Sequence, residues 1–582
     1  MATITAAARR YSGLSIWSEQ VRGTIFPMVL TLVVLGLVAA PMVVLVVASS
    51  RPAGELPFTG KVWTIATYGE VFGSASTYRL LKNTLLYAAG TMAVSLPLAF
   101  ALAWLTERTD LPGRRLLYTL MFVPMLVPPF AIALGWILLS GPNAGTLNVF
   151  IRKIFSLDSA RGPLNIYTMW GMVFVSGILA IPSMWLLLLG LFRNFDPRLE
   201  EAASASGAGR WQVLKRVTVP LMLPGILAVG VYFSIIFIEA FEVPLAIGTT
   251  AEIPVLSTKI YLLTSRAEEG YHYGAAATFG LMTLLAGVVL MVGYLWAVRV
   301  SAKFAVVTGK GYRPRLVRLG RLKYLALGGV IGYFIVAVIL PTLILVWASL
   351  LRYYVPFSPD SFHLVSLHNY RLIFARDDFV TALKNTMITA CVAATASMLL
   401  ASVIAWYLVR RATLMARVLS VLSFMPLAIP NVIIALAILL LYTSTPLHGT
   451  LLILILAFVT RYLAFTTRVM HAAQLQIDKV LEEAALVSGA GRLGTFVKIN
   501  LRVLMPALLN GWLWVVAHVV RDFAVPLFLA TSSTLLLANL IWGQWELGSM
   551  PIASAYMVVL IAIVVVLVFV GRGKLGAGQE QS

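Results

Sequence analysis

Five ionisable side chains interrupt stretches of sequence otherwise apolar enough to cross a bilayer: Glu239, Glu242, Arg461, Arg521 and Asp522. An ionisable group at mid-membrane costs about 2.5–3.5 kcal/mol on insertion scales, so each is expected to face the protein interior and to act there. Glu239 and Glu242 are three residues apart, which places both on one face of a continuous helix. The Glu239–Glu242 and Arg521–Asp522 sites each have a proline shortly after them, Pro244 and Pro526, able to break the helix where it lines a cavity. Carboxylate oxygens suit a hard cation. Two readings stand side by side. Either Glu239, Glu242, Arg521 and Asp522 line a translocation pathway, or Glu239 and Arg521 form an ion pair that locks two parts of the chain together. His518, one turn before Arg521, is read as structural, and Asn83–Thr84 and Asn385–Thr386 as helix starts.

Catalytic chemistry finds no footing. The six histidines show no metal-ligand spacing, and the single cysteine, Cys391, excludes disulfides, thiolate zinc sites and four-cysteine iron–sulfur clusters. The run VTGKGY at 307–312 lacks the spacing of a phosphate-binding loop. No nucleophile–base pair stands out. The chain is therefore expected to be no enzyme and to bind neither metal nor cofactor.

A different pattern is written twice. LEEAASASGAGR at 199–210 returns as LEEAALVSGAGR at 481–492. Asp196 and Asp478 precede these runs as N-caps, and acids in the first turn complement the helix dipole. Gly207 and Gly489 follow as left-handed C-caps. Each copy predicts a short capped helix at a membrane surface, and duplication suits a pair of identical partners.

The elements carrying these residues are set by composition. Hydrophobic residues make up 60% of the 582 and charged residues 12%. Soluble chains average about 45–50% and about 25%, so this is a polytopic membrane protein. Twelve helical spans are predicted, at about 25–48, 83–105, 116–139, 167–192, 219–247, 275–298, 324–349, 382–408, 418–442, 449–470, 503–530 and 550–571. LKNTLLYAAGTM at 81–92 and FVPMLVP at 122–128 recur 302 residues on, as LKNTMITACVAA and FMPLAIP. The LEEAA run and FEVPL at 241–245 recur 282 residues on, the difference coming from a longer loop at about 140–166. The fold class is all-α: two parallel six-helix repeats related by an axis along the membrane normal. The boundaries are 1–305 for the first transmembrane domain, 306–323 for a basic linker and 324–582 for the second. Most of the 44 Lys and Arg fall on the side of the termini, which places both termini and the linker in the cytoplasm. The densest basic cluster, from Arg299 to Lys323, is explained by that topology and by anionic headgroups rather than by nucleic acid.

The duplicated loop resembles the EAA-type coupling loop of ATP-binding-cassette importer permeases. Glu201-Ala-Ala, Gly207, Val217 and Pro220 carry the resemblance in the first copy, and Glu483-Ala-Ala, Gly489, Ile499 and Leu501 in the second. The second copy departs at Arg502, where proline is expected, with Pro506 following. The resemblance spans about residues 60 to 570. It implies a multi-pass inner-membrane permease served by a periplasmic solute-binding protein. Two ATPase subunits would use the ATP and dock on Glu200, Glu201, Ala202, Ala203 and Gly207 and on Glu482, Glu483, Ala484, Ala485 and Gly489. ERTDLPGRR at 107–115 and EAFEVPLAIG at 239–248 look most like the ferric-iron group. Polyamine, aminophosphonate, thiamine and sulfate stay open as solutes. The rival from another class is a secondary transporter driven by an ion gradient.

Overall fold

In lipid each segment must satisfy its own backbone N–H and C=O groups, and helices do this without a partner. The computed structural model describes residues 2–52, 54–58, 62–265, 270–303 and 316–579. Among them nine helices are long and apolar enough to cross a membrane, and three bent helix pairs bring the number to twelve. The fold is all-α, as predicted; among the described residues the one strand-like contact is a bridge between Thr109 and Val317. Most of the linker, including Lys310, Arg313 and Arg315, lies outside the described residues.

The unbroken spans are Ile25–Ser49, Ala75–Arg108, Met169–Asn194, Trp211–Ile238, Tyr273–Val300, Leu322–Ser349, Asp377–Arg410, Leu451–Gln474 and Met550–Phe569. Two begin well before their apolar core, at Ala75 and Asp377, because a polar first turn continues the helix into the interface. This corrects the reading of Asn83–Thr84 and Asn385–Thr386 as helix starts. Both pairs sit inside their helices and fasten a distant loop. Asn83 Nδ2 donates to the Pro254 carbonyl and Thr84 Oγ1 accepts from Leu256 N–H. Asn385 and Thr386 do the same for Leu535 and Leu537.

The third, ninth and eleventh spans are broken. Arg114–Leu126 and Pro129–Ser140 meet at 87°, and Leu414–Ala428 and Asn431–Tyr442 at 109°. Both breaks fall in the repeated FVPMLVP and FMPLAIP runs, where a proline removes a backbone donor and pushes its predecessor out of the helical region. The second segment of each pair is buried almost throughout. Irregular backbone is thus confined to the protein interior, as the absence of water in lipid requires. The eleventh span bends by 69° between Phe496–Val503 and Met505–Val520, just ahead of Pro506. The matching Pro224 lies inside the unbroken fifth span, so the proline alone does not set this bend.

The halves exchange their first spans. Ile25–Ser49 packs on the broken ninth span, and Leu322–Ser349 packs on Pro129–Ser140 of the third. At the second crossing a Cβ on Gly135 would stand 2.4 Å from the Pro341 carbonyl oxygen, so only glycine admits the approach. Within each half the second span lies along the fourth, and the eighth along the tenth.

Candidate functional site

The two LEEAA runs form the short helices Pro197–Ala205 and Lys479–Val487. Asp196 accepts a hydrogen bond from Arg198 N–H at 3.0 Å, and Asp478 from Val480 N–H at 3.1 Å. Gly207 and Gly489 both have φ +86°, and the following Ala208 and Ala490 N–H groups return to the Ala203 and Ala485 carbonyls. These are the N-caps and left-handed C-caps predicted from sequence.

Sequence reasoning missed what anchors the helices. The first Glu of each pair turns inward, away from the exposed Ala202 and Ala484. Glu200 forms an ion pair with Arg108 at 2.9 Å and accepts from Thr218 Oγ1 at 2.6 Å. Glu482 meets Arg410 at 2.7 Å and accepts from Asn500 Nδ2 at 2.9 Å. The arginines also reach the carbonyl just before each N-cap: Arg108 to Phe195 at 3.2 Å and Arg410 to Ile477 at 3.1 Å. Arg108 and Arg410 end the second and eighth spans, 302 residues apart, while Thr218 and Asn500 lie 282 apart. Thr218 and Asn500 each close a π-helical turn, Leu214–Thr218 and Phe496–Asn500, leading into the fifth and eleventh spans. Such a turn widens the helix by a residue and is often found at functional positions. The signal was present in the offsets; a lone arginine at a helix end did not stand out from the basic face around it.

Burial tends to raise the carboxyl of Glu482, but the Arg410 guanidinium and the Asn500 amide outweigh it and hold the group below the ordinary glutamate range.

The mid-membrane charges lie where the halves meet. The fifth span stops at Ile238, and residues 239–241 are not helical. Residues 521–523 form the matching break after Val520. Glu239 and Glu242 therefore straddle a break rather than share a helix face, a correction with a physical cause: the chain unwinds ahead of Pro244, not at it. Glu239 Oε2 accepts from the Asn431 N–H at 3.0 Å, at the N-terminus of Asn431–Tyr442 in the other half. Arg521 donates to the Met125 carbonyl, at the end of the short helix Val123–Leu126 in the first half. The anion thus meets a helix N-terminus and the cation a helix C-terminus, each the end its sign favours.

Glu239 and Arg521 do not pair, which overturns the locking ion pair. Arg461 of the tenth span stands 3.7 Å from Asp522 instead, an ion pair within the second half, and Asp522 also accepts from Asn431 Nδ2 and Val525 N–H. Glu242 lies within electrostatic range of Asp522, Arg461 and Arg521, yet forms no ion pair among the described residues. Asn431 Oδ1 is buried with no hydrogen-bond partner there. His518 stacks on Trp514 with ring centroids 3.6 Å apart, a structural role. No three His, Cys, Asp or Glu side chains among the described residues converge as metal ligands.

A family profile described as "Binding-protein-dependent transport system inner membrane component" matches residues 95–304 and again 395–573. The ferric transport system permease protein FbpB of Actinobacillus pleuropneumoniae is 26% identical, over 88% of this chain and 73% of its own. A putative ferric transport system permease protein of Haemophilus influenzae is 27% identical over 78% and 71%. The molybdenum transport system permease protein ModB of Haemophilus influenzae is 32% identical over 25% of this chain and 62% of its own. Matched once in each half, the chain belongs to the inner-membrane components of binding-protein-dependent transport systems and is a fused two-domain permease of an ATP-binding-cassette importer.

Proposed function

We propose that this permease moves ferric iron, received from a periplasmic binding protein, into the cytoplasm between its two halves. Two ATPase subunits dock on Pro197–Ala205 and Lys479–Val487 and hydrolyse the ATP. Both termini and both docking helices lie in the cytoplasm. Glu239, Glu242, Arg521 and Asp522 border the route. The domain limits at 305 and 324 follow from the same reading, each half being one permease unit.

One observation carries the choice of a cation. The arginines near the route are engaged, Arg461 with Asp522 and Arg521 with the Met125 carbonyl, whereas Glu242, though within electrostatic range of both, forms no ion pair among the described residues. With the unpartnered Asn431 Oδ1, the oxygen donors left over suit a hard cation and repel an oxyanion such as sulfate or molybdate. The ferric permeases similar over most of the chain support iron among cations. The test is uptake of radiolabelled ferric iron by cells carrying the chain with its binding protein and ATPase. Glu242→Gln should reduce that uptake about tenfold, as removal of one charged contact worth about 1.4 kcal/mol would, while assembly and basal ATP hydrolysis persist. Unchanged iron uptake in the variant, or uptake of molybdate but not iron by the parent, overturns the reading.

A further inference from the structure

The docking helices are fixed twice by the same three-way contact. In each half one carboxylate, Glu200 or Glu482, gathers the end of one span and the start of another. Arg108 or Arg410 comes from the last turn of a 34-residue helix, Ala75–Arg108 or Asp377–Arg410. Thr218 or Asn500 comes from the π-turn near the start of the fifth or eleventh span. The arginine then closes the circuit by reaching the carbonyl just before the docking helix's N-cap. The arginine and glutamate side chains are largely buried, at 5% and 16% exposure in the first half and 10% and 14% in the second.

We propose that Arg108 and Arg410 are the transmission residues of this permease: positioning residues that convert displacement of each docking helix into movement of the long second or eighth span. This rests on the reading of the two short helices as ATPase docking sites. Without the clamp, each docking helix would be tied to the bundle by its two connecting segments alone, and a push on it would be absorbed by torsions in residues 195–196 or 206–209 and their counterparts. With it, three rigid elements share one charged node. The moved spans pack on the two most buried ones: the second along the fourth, and the eighth along the tenth, which carries Arg461 opposite Asp522. The first clamp has an added restraint. The end of the linker pairs with the same turn, Val317 N–H donating to the Arg108 carbonyl and Leu319 N–H to Asp110 Oδ1. The two nodes therefore differ: among the described residues, only the first is held to the linker.

The test uses the whole importer in proteoliposomes. A reporter thiol at Ala240→Cys, in a Cys391→Ser background, is labelled with a membrane-impermeant maleimide with and without ATP and vanadate. In the parent, nucleotide changes the labelling rate beside the mid-membrane break. In Arg108→Ala/Arg410→Ala the ATPase should still co-purify and hydrolyse ATP, while the nucleotide-dependent change falls about tenfold, within the range reached along coupled networks. Should that variant fail to fold, Arg108→Gln/Arg410→Gln, which keeps a long polar side chain at each node without its charge, should show the same loss. An undiminished labelling change in either variant overturns the proposal. So does loss of bound ATPase from a folded variant, which would assign the arginines to docking instead. A parent chain that recruits no ATPase would end the docking reading itself.

Discussion

Asn431 occupies a position that is Pro129 in the first half, 302 residues earlier. Proline suits the first residue of a helix but brings no N–H, so the first half cannot offer a carboxylate what Asn431 offers Glu239. That difference in donors accounts for the partner Glu239 finds, while Arg521 needs only a carbonyl, which either half supplies. Asn431→Pro should fold, because Pro430 already has the extended ψ of 142° that a following proline requires. It removes both the side-chain bond to Asp522 and the N–H bonded to Glu239; Asn431→Ala removes the first alone. Thermal unfolding in detergent should place the proline variant lower by about 1.5–3 kcal/mol, the worth of a hydrogen bond to a charged group. Equal stabilities would mean the Glu239 contact adds nothing. Glu482 supports a second test. Its carboxyl is held below the ordinary value near 4.3, so its anchoring is complete above that pH and is lost as pH falls through the lowered value. Protease access to the helix Lys479–Val487 should rise only in that acid range, and Glu482→Gln should abolish the step. At this scale the sequence marked every mid-membrane charge but could not pair them, and it passed over Arg108 and Arg410. Arg461 aligns with Leu179 in the first half, so the repeat gave no hint that it would answer Asp522.

The short helices show how far local rules reach. Asp caps, first-turn acids and glycines were enough to delimit both helices, because capping depends on neighbours in sequence. Gly207→Ala or Gly489→Ala should loosen the local C-cap by about 1–2 kcal/mol, the cost of a left-handed L-residue, since no atom lies within 4 Å of a Cβ at either site. Hydrogen exchange of the preceding helix measures it. The two copies differ on their exposed faces: Arg198, Ser204 and Ala205 in the first become Val480, Leu486 and Val487 in the second. Val487 is 89% exposed. If the second helix is the firmer anchor, Val487→Ser forfeits about 1.5 kcal/mol of apolar burial, and ATPase retention on purification should weaken about tenfold. The matching change at Ala205 should have little effect. Helix breaks were legible only in part. Pro244 and Pro526 announced the breaks near them, whereas those at Pro128 and Pro430 fall in spans expected to be continuous; the break after Ile238 precedes its proline, because tertiary contacts to the opposite half, not local sterics, fix where the chain unwinds.

Across the whole molecule, hydropathy was sufficient for the number of spans and repeated words for their grouping. Neither could show that Ile25–Ser49 and Leu322–Ser349 lie against the opposite half, since that exchange leaves no periodic trace. Orientation rests on the distribution of basic residues. With a single native cysteine to remove, it is readily tested: Asn143→Cys should react with an impermeant maleimide added outside intact cells, and Val487→Cys should not. The reverse pattern would invert the permease.

Opposite charges at matched places have a consequence for stoichiometry. A homodimer of the first half would set Glu239 against its own copy and offer it Pro129 instead of an N–H; a homodimer of the second would leave two Arg521 side chains to share the neighbourhood of two Arg461. Neither half can substitute for the other, and co-expressing the halves as separate chains should restore the importer only as the heterodimer. The covalent fusion thus guarantees one of each, and frees a duplicated unit from the self-complementarity that true symmetry would impose.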